Sequence, residues 1–274
     1  MSSPAVQPFF LEAREGRRFC LFHAPRIDIP ARGGVLAVHA FAEEMNKTRR
    51  VSADAARALA ADGFAVLQID LFGTGDSDGD FGDATWDNWQ DDLALAWRWL
   101  AARCSQPLWL WGTRGGALIA ADFAERCDPP CGGLLFWQPV ASGAQHLGQF
   151  LRLKTVNALL RDAAAPSNAS PRAELAAGHA MEIAGYRLNP TLAMDLERAQ
   201  LKEPPHARRV RWFEVSSQIP SSVSPAAARI ADAWTAAGVD VRPATVHGPA
   251  FWQTQEVERC DSLVAATVSA LRAP

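Results

Sequence analysis

The stretch LWLWGTRGGALIA at 108–120 joins an apolar run to a helical pattern through a tight glycine turn. Gly112 and Gly116 stand at the two glycine positions of a G-x-S-x-G turn, which presents its central residue as a nucleophile. The central residue here is Arg114. A guanidinium stays protonated, carries donors only and cannot attack a carbonyl. It can grip a carboxylate or phosphate through two parallel hydrogen bonds. Gly115 and Gly116 open the helix, and a helix N-terminus attracts anions. Such a turn holds its central residue in a strained conformation that costs on the order of 1–3 kcal/mol. Keeping it with a cation at the tip points to a site tuned for negative charge.

That charge has a candidate source in the chain itself. Glu43 and Glu44 follow the strand that carries His39, so they reach the same rim. Three readings stay open. Arg114 and a glutamate close the site as a buried pair; Arg114 anchors an anionic ligand; or a glutamate beside it serves as general base for a water. The run NKTRR at 46–50 reads as a solvated helix start, with a second anion contact as its alternative.

The elements that must position these groups alternate strand and helix, the pattern of an α/β fold with a mostly parallel sheet and helices on both faces. Apolar runs at 34–41, 64–70, 107–112, 132–140, 210–217 and 239–246 read as strands. Helical spacing fills 52–63, with Ser52 as N-cap, then 85–104, 115–127, 224–238 and about 256–271. Residues 11–25 read as an antiparallel hairpin at the sheet edge. Residues 141–208 hold helical patterns and no strand, so the expected division is a core of 1–140 and 209–274 with a helical cap or lid at 141–208. Within it, AAAPSNASPR at 163–172 has the composition of a mobile loop.

Composition narrows the function classes. A net charge of −3 over 274 residues argues against nucleic acid or an anionic membrane as partner. No apolar run is long enough to span a membrane, and the first residues lack a leader's basic and apolar regions. Five cysteines in an odd set without metal spacing suggest a reduced, cytoplasmic chain with no metal and no cofactor. CDPPC at 127–131 reads as a surface turn, with a redox or metal role as the alternative. Ten tryptophans against one tyrosine read as core packing, or else as flat pocket walls.

Strand, elbow turn and helix in this order resemble the α/β-hydrolase fold. VHAF at 38–41 resembles the stretch that supplies an oxyanion-hole amide, and DLFGTGDSDG at 70–79 resembles the loop after the following strand. More narrowly, HAFAEEMNKTRR (39–50), DLFGTGDSDGDF (70–81), LWGTRGGAL (110–118), FWQPV (136–140) with FLRLK (150–154), and PAFWQTQE (249–256) resemble the bacterial exosortase A system-associated hydrolase 2 family. The resemblance implies a catalytic triad, and each expected place is vacant. The nucleophile position holds Arg114. The histidine register of the last strand holds Phe251, next to Trp252, with His247 four residues earlier as a displaced base or a turn histidine. The acid position after 210–217 holds Ser216, Ser217 and Gln218, and its alternative holds Gln138. The amides of Phe41 and Gly115 would still form an oxyanion hole, with His39, Gln138, Phe251 and Trp252 around the pocket. The expected protein is a ligand-binding or weakly catalytic hydrolase relative tied to exopolysaccharide or exosortase export. An active non-serine hydrolase of an ester, thioester or acylated sugar, or the partner of a companion hydrolase of the same locus, are the alternatives. Its expected ligand is a small anionic or acyl molecule.

Overall fold

The chain folds around one eight-stranded sheet that is parallel over most of its width. The computed structural model describes residues 6–104, 107–160, 170–204, 206–219 and 221–272. The loop composition noted at 163–172 lies, up to residue 169, outside the described residues.

The first half runs β1 (Val6–Glu12), β2 (Arg17–His23), β3 (Gly33–Val38), α1 (Glu43–Ala61), β4 (Phe64–Ile69), α2 (Trp86–Ala101), β5 (Leu108–Thr113), α3 (Gly116–Ala124) and β6 (Gly133–Trp137). An insertion follows, with α4 (Gly143–Leu160), α5 (Pro171–Ala176), β7 (Met181–Ile183), β8 (Tyr186–Leu188) and α6 (Pro190–Arg198). The sheet is completed by β9 (Arg209–Ser216), α7 (Pro225–Ala236), β10 (Asp240–His247) and α8 (Asp261–Arg272). Strand order is β1-β2-β4-β3-β5-β6-β9-β10, antiparallel only where β2 meets β1 and β4.

Strands β3, β4, β5 and β6 are buried at every position, so they read as continuous apolar runs. One apolar layer packs Leu36, Leu110 and Phe136 against α2 and α3 through Leu93, Trp97 and Phe123. The other packs Val35, Trp109, Trp111 and Trp137 against α1 and α8 through Leu59 and Leu263. The Trp111 and Trp137 rings meet edge to face at 4.4 Å, so these strand tryptophans are core.

Three sequence expectations need correction. Helix α1 starts at Glu43, and Ser52 lies buried inside it instead of capping it. Met45, Thr48, Val51, Ser52, Ala55 and Leu59 form one buried stripe that runs through the charged NKTRR. Within that run, Arg49 pairs with Asp70 at 2.8 Å and Arg50 with Asp54 at 3.4 Å. Helix α8 starts at Asp261, because the chain from Pro249 to Cys260 is a turn and an extended segment. The insertion is not all helical: β7 and β8 form a two-stranded hairpin.

Candidate functional site

The elbow has the expected geometry. Arg114 follows β5 with φ 52°, a conformation that side-chain-bearing residues avoid. Its N–H donates to the Trp137 carbonyl at 2.9 Å, and its own carbonyl accepts from Ala117 N–H at 3.0 Å. The flanking glycines have a steric cause. A methyl carbon on Gly112 would lie 2.5 Å from Ala117 Cα, and one on Gly116 would collide with the His39 carbonyl. Helix α3 can therefore press against β3 and β5 only if both positions are glycine.

Arg114 turns inward and is buried. Its Nη2 donates to Glu44 Oε1 at 3.0 Å, Nε donates to both Glu44 oxygens at 3.2 and 3.3 Å, and Nη1 reaches the Gln138 carbonyl at 3.3 Å. The guanidinium also lies 5.2 Å from the centroid of Trp252. Burial pushes the Glu44 carboxyl above the usual range, against the pull of Arg114. Glu43 is raised for the same reason, and its Oε2 is buried with no hydrogen-bond partner among the described residues. Of the two glutamates, only Glu44 bonds the guanidinium.

The remaining candidates fall into three places. Phe41 and Gly115 face each other beside the pair, with a methyl carbon on Gly115 placed 3.1 Å from Phe41 Cβ. His39 lies below them, its Nε2 3.8 Å from Asp70 Oδ1, and burial drives it down to about 4, so it is neutral at pH 7. Phe251 is buried against Trp137 with ring centroids 6.3 Å apart, which leaves an apolar wall where a base was expected. Gln138 is half-buried, and its Oε1 accepts from Val215 N–H at 2.7 Å, tying β6 to β9. After β9, Ser217 and Gln218 are exposed, and the nearby Glu214 is occupied by the Ser224 N–H and hydroxyl at 2.6 and 2.7 Å. His247 is exposed at the end of β10 and is not among the residues lining the cleft over the elbow.

That cleft, about 380 Å³, is bounded by α1 through Glu43, Glu44 and Lys47, by α4 through His146 and Phe150, and by Phe41 and Trp252. His146 was missed from the sequence. It lies buried in the insertion with both ring nitrogens unpartnered among the described residues, and burial together with Arg114 drives it down to about 3. The one available signal was its helical spacing, four residues before Phe150 on the same buried face of α4.

Among the described residues, no group of three or more His, Cys, Asp or Glu is placed to hold a metal ion. No described helix is long and apolar enough to cross a membrane.

A family model described as serine aminopeptidase, S33, matches residues 29–186, more than half of the chain. No curated protein matches the sequence. Solved structures with a similar fold include Est1E from Butyrivibrio proteoclasticus, at TM-score 0.64 and 11% identity, covering 97% of this chain and 96% of that one. A thermostable carboxyl esterase from Bacillus coagulans matches at TM-score 0.63 and 13% identity over 98% of both chains. An α/β serine hydrolase without a lid from Xanthomonas campestris matches at 0.61 and 16% identity, over 97% of this chain and 94% of that one. At these identities the likeness is one of fold.

Proposed function

The chain belongs to the serine aminopeptidase, S33, family of α/β-hydrolases, and from that premise we propose that it is a ligand-binding member whose nucleophile position is closed by an ion pair. The observation that carries this reading is the Arg114–Glu44 contact at 3.0 Å inside an otherwise intact elbow. A serine acyl-transfer cycle needs a nucleophile, a base and an acid. The expected places hold Arg114, the buried Phe251 and, for the acid, Ser216, Ser217 and Gln218, or in the alternative position the hydrogen-bonded Gln138. Loss of the nucleophile alone costs on the order of 10⁶ in turnover.

The ligand class follows from the walls. The cleft combines apolar Phe41, Phe150, Leu153 and Trp252 with Glu43, Glu44, Lys47 and Arg152, which suits an acyl compound with a polar head. Carboxyl esterase appears among the structural neighbours, and an ester, thioester or acylated sugar is the corresponding chemistry. The insertion 141–208 acts as the lid over that ligand. The stretches shared with the exosortase A system-associated hydrolase 2 family support a cytoplasmic role beside bacterial exopolysaccharide or protein export, where a companion hydrolase is a natural partner.

One observation favours a second reading, in which water is the nucleophile. Glu43 has a raised carboxyl and an unpartnered Oε2 at the cleft, which are properties of a general base.

Intact-mass analysis after fluorophosphonate treatment tests the main reading. The expected result is no adduct. An adduct on a cleft serine, formed with loss of an esterase activity, overturns it. Ester turnover without an adduct that disappears in Glu43→Gln selects the water mechanism.

A further inference from the structure

The turn CDPPC at 127–131 lies away from the elbow cleft, between the end of α3 and the start of β6, and carries two thiols. Cys127 and Cys131 are both free and both buried, at 8% and 3% exposure. The cover over them is thin, since Glu125, Arg126, Asp128, Pro129 and Pro130 around them are all exposed. The two side chains meet, and their thiols share a hydrogen bond. The turn that holds them is fastened to its neighbours. Trp97 Nε1 on α2 donates to the Pro129 carbonyl at 2.8 Å, and Gly132 N–H donates to the Leu108 carbonyl at 2.7 Å. The chain entropy of bringing the two sulfurs together is therefore already lost on folding. The thiols are not equivalent. The bond from Cys131 holds the Cys127 thiol below the usual range, while that bond and burial push Cys131 up. Cys20 and Cys104 are held up by burial, Cys20 to about 12. The thiolate is the attacking form of a cysteine, so Cys127 is the better placed nucleophile.

We infer that Cys127 and Cys131 form a reversible oxidation site, converted to a disulfide by exchange with a small disulfide such as oxidised glutathione. Cys127 gives up its proton, and its thiolate attacks one sulfur of the small disulfide. The bond between the two glutathione sulfurs breaks, one glutathione leaves as thiolate, and Cys127 carries a mixed disulfide. Cys131 then gives up its proton and attacks the Cys127 sulfur. The mixed disulfide breaks and the second glutathione leaves as thiolate. The two cysteines lose two electrons, the small disulfide gains them, and the two protons released end on the two glutathione thiols. Excess reduced glutathione runs the sequence backwards. The consequence falls on the helix behind the elbow. Cys127 Sγ donates to the carbonyl of Ala124, the last residue of α3, at 3.7 Å, and a disulfide sulfur has no hydrogen to donate. Oxidation therefore exchanges that contact for a covalent tie between the end of α3 and the approach to β6. Among the described residues no third His, Cys, Asp or Glu joins the pair to hold a metal ion.

The test incubates the full chain under native conditions with oxidised glutathione, quenches it in acid, alkylates the remaining thiols with N-ethylmaleimide and maps the peptides by mass spectrometry. Alkylation of Cys127 and Cys131 together should fall about tenfold or more in the wild type. One bond between the two should account for the loss, and dithiothreitol should restore both thiols. Cys131→Ser should stop at a glutathione adduct on Cys127, and Cys127→Ser should take up about tenfold less glutathione at Cys131. Both thiols remaining open to alkylation, or a bond to Cys20, Cys104 or Cys260 in place of the expected one, overturns the inference. An adduct on Cys131 in Cys127→Ser that equals the adduct on Cys127 in Cys131→Ser does so too. Oxidation seen only in denaturant also overturns it, because the folded turn would then not present the pair. If the variants do not fold, the wild-type map decides alone.

Discussion

Two buried arginine–carboxylate pairs in this molecule are built from the same chemistry and left in different states. Arg18 on β2 and Asp92 on α2 meet at 2.6 Å with side chains 2% and 3% exposed. Both members have further protein partners, although the pair also borders a cleft of about 380 Å³ with Arg14, Asn88 and Arg98. Arg18 also donates to the Glu15 carbonyl at 2.7 Å, Asp92 accepts from Phe72 N–H at 2.7 Å, and the guanidinium lies 4.9 Å from the Phe72 ring centroid. This pair pins the start of the loop at 70–79 to β2. Arg114 and Glu44 meet at 3.0 Å beside a cleft, next to His146 and Glu43 Oε2, neither partnered among the described residues. Neither member of the first pair carries an orphaned buried atom among the described residues, as a structural joint should. The second is bordered by polar groups that still lack partners, the mark of a place where something else binds.

The contrast predicts unequal costs when each pair is broken. Asp92→Ala leaves Arg18 buried, and a guanidinium cannot shed its proton. Equilibrium denaturation should show a loss of about 4 kcal/mol. Arg114→Ala leaves Glu44, whose carboxyl burial already raises, so it can take up a proton and escape part of the penalty. The expected loss is about 3 kcal/mol. A larger loss for Arg114→Ala than for Asp92→Ala would reverse the comparison.

Acid should bear on the second region through His146. Burial holds the His146 ring down to about 3, so in the folded chain it stays neutral while the unfolded chain protonates near 6.5. The unfolded state then binds more protons, and stability falls as pH drops below 6.5, by about 2 kcal/mol at pH 5 from this residue. His146→Leu should lose less stability than wild type between pH 6.5 and pH 5, measured by denaturant melts at each pH. Parallel curves for the two proteins would show that the ring does not titrate against folding.

The smallest expected effect is catalytic. Arg114→Ser places a hydroxyl at the elbow with Phe251 where a base is needed, and an unactivated serine is a poor nucleophile. Turnover of a p-nitrophenyl ester should rise no more than about threefold over wild type. A gain of several orders of magnitude would mean that His39, His146 or His247 already serves as base.

The difference between the regions also explains what the sequence disclosed. The elbow was legible because Gly112 and Gly116 are fixed by steric contact, which leaves a spacing in the chain. The parallel strands were legible because complete burial leaves unbroken apolar runs. The start of α1 was hidden because the surface arginines of NKTRR interrupt its buried stripe to the eye. The choice between Glu43 and Glu44 depended on that helix start, which sets which of the two faces the elbow. Asp92 was legible in principle, since it shares the helical face of Trp89, Leu93 and Ala96. His146 was not, because a lone histidine on an amphipathic helix gives no sign of what it will be pressed against.

A double-mutant cycle on Arg114 and Glu44 tests the closed elbow most directly, with unfolding free energies for wild type, Arg114→Ala, Glu44→Ala and the double variant. If the pair closes the nucleophile position, the second substitution relieves the charge stranded by the first, and the coupling is about 2 kcal/mol or more. Additive losses, with coupling below about 0.5 kcal/mol, would contradict the account and leave Arg114 free to meet a ligand instead.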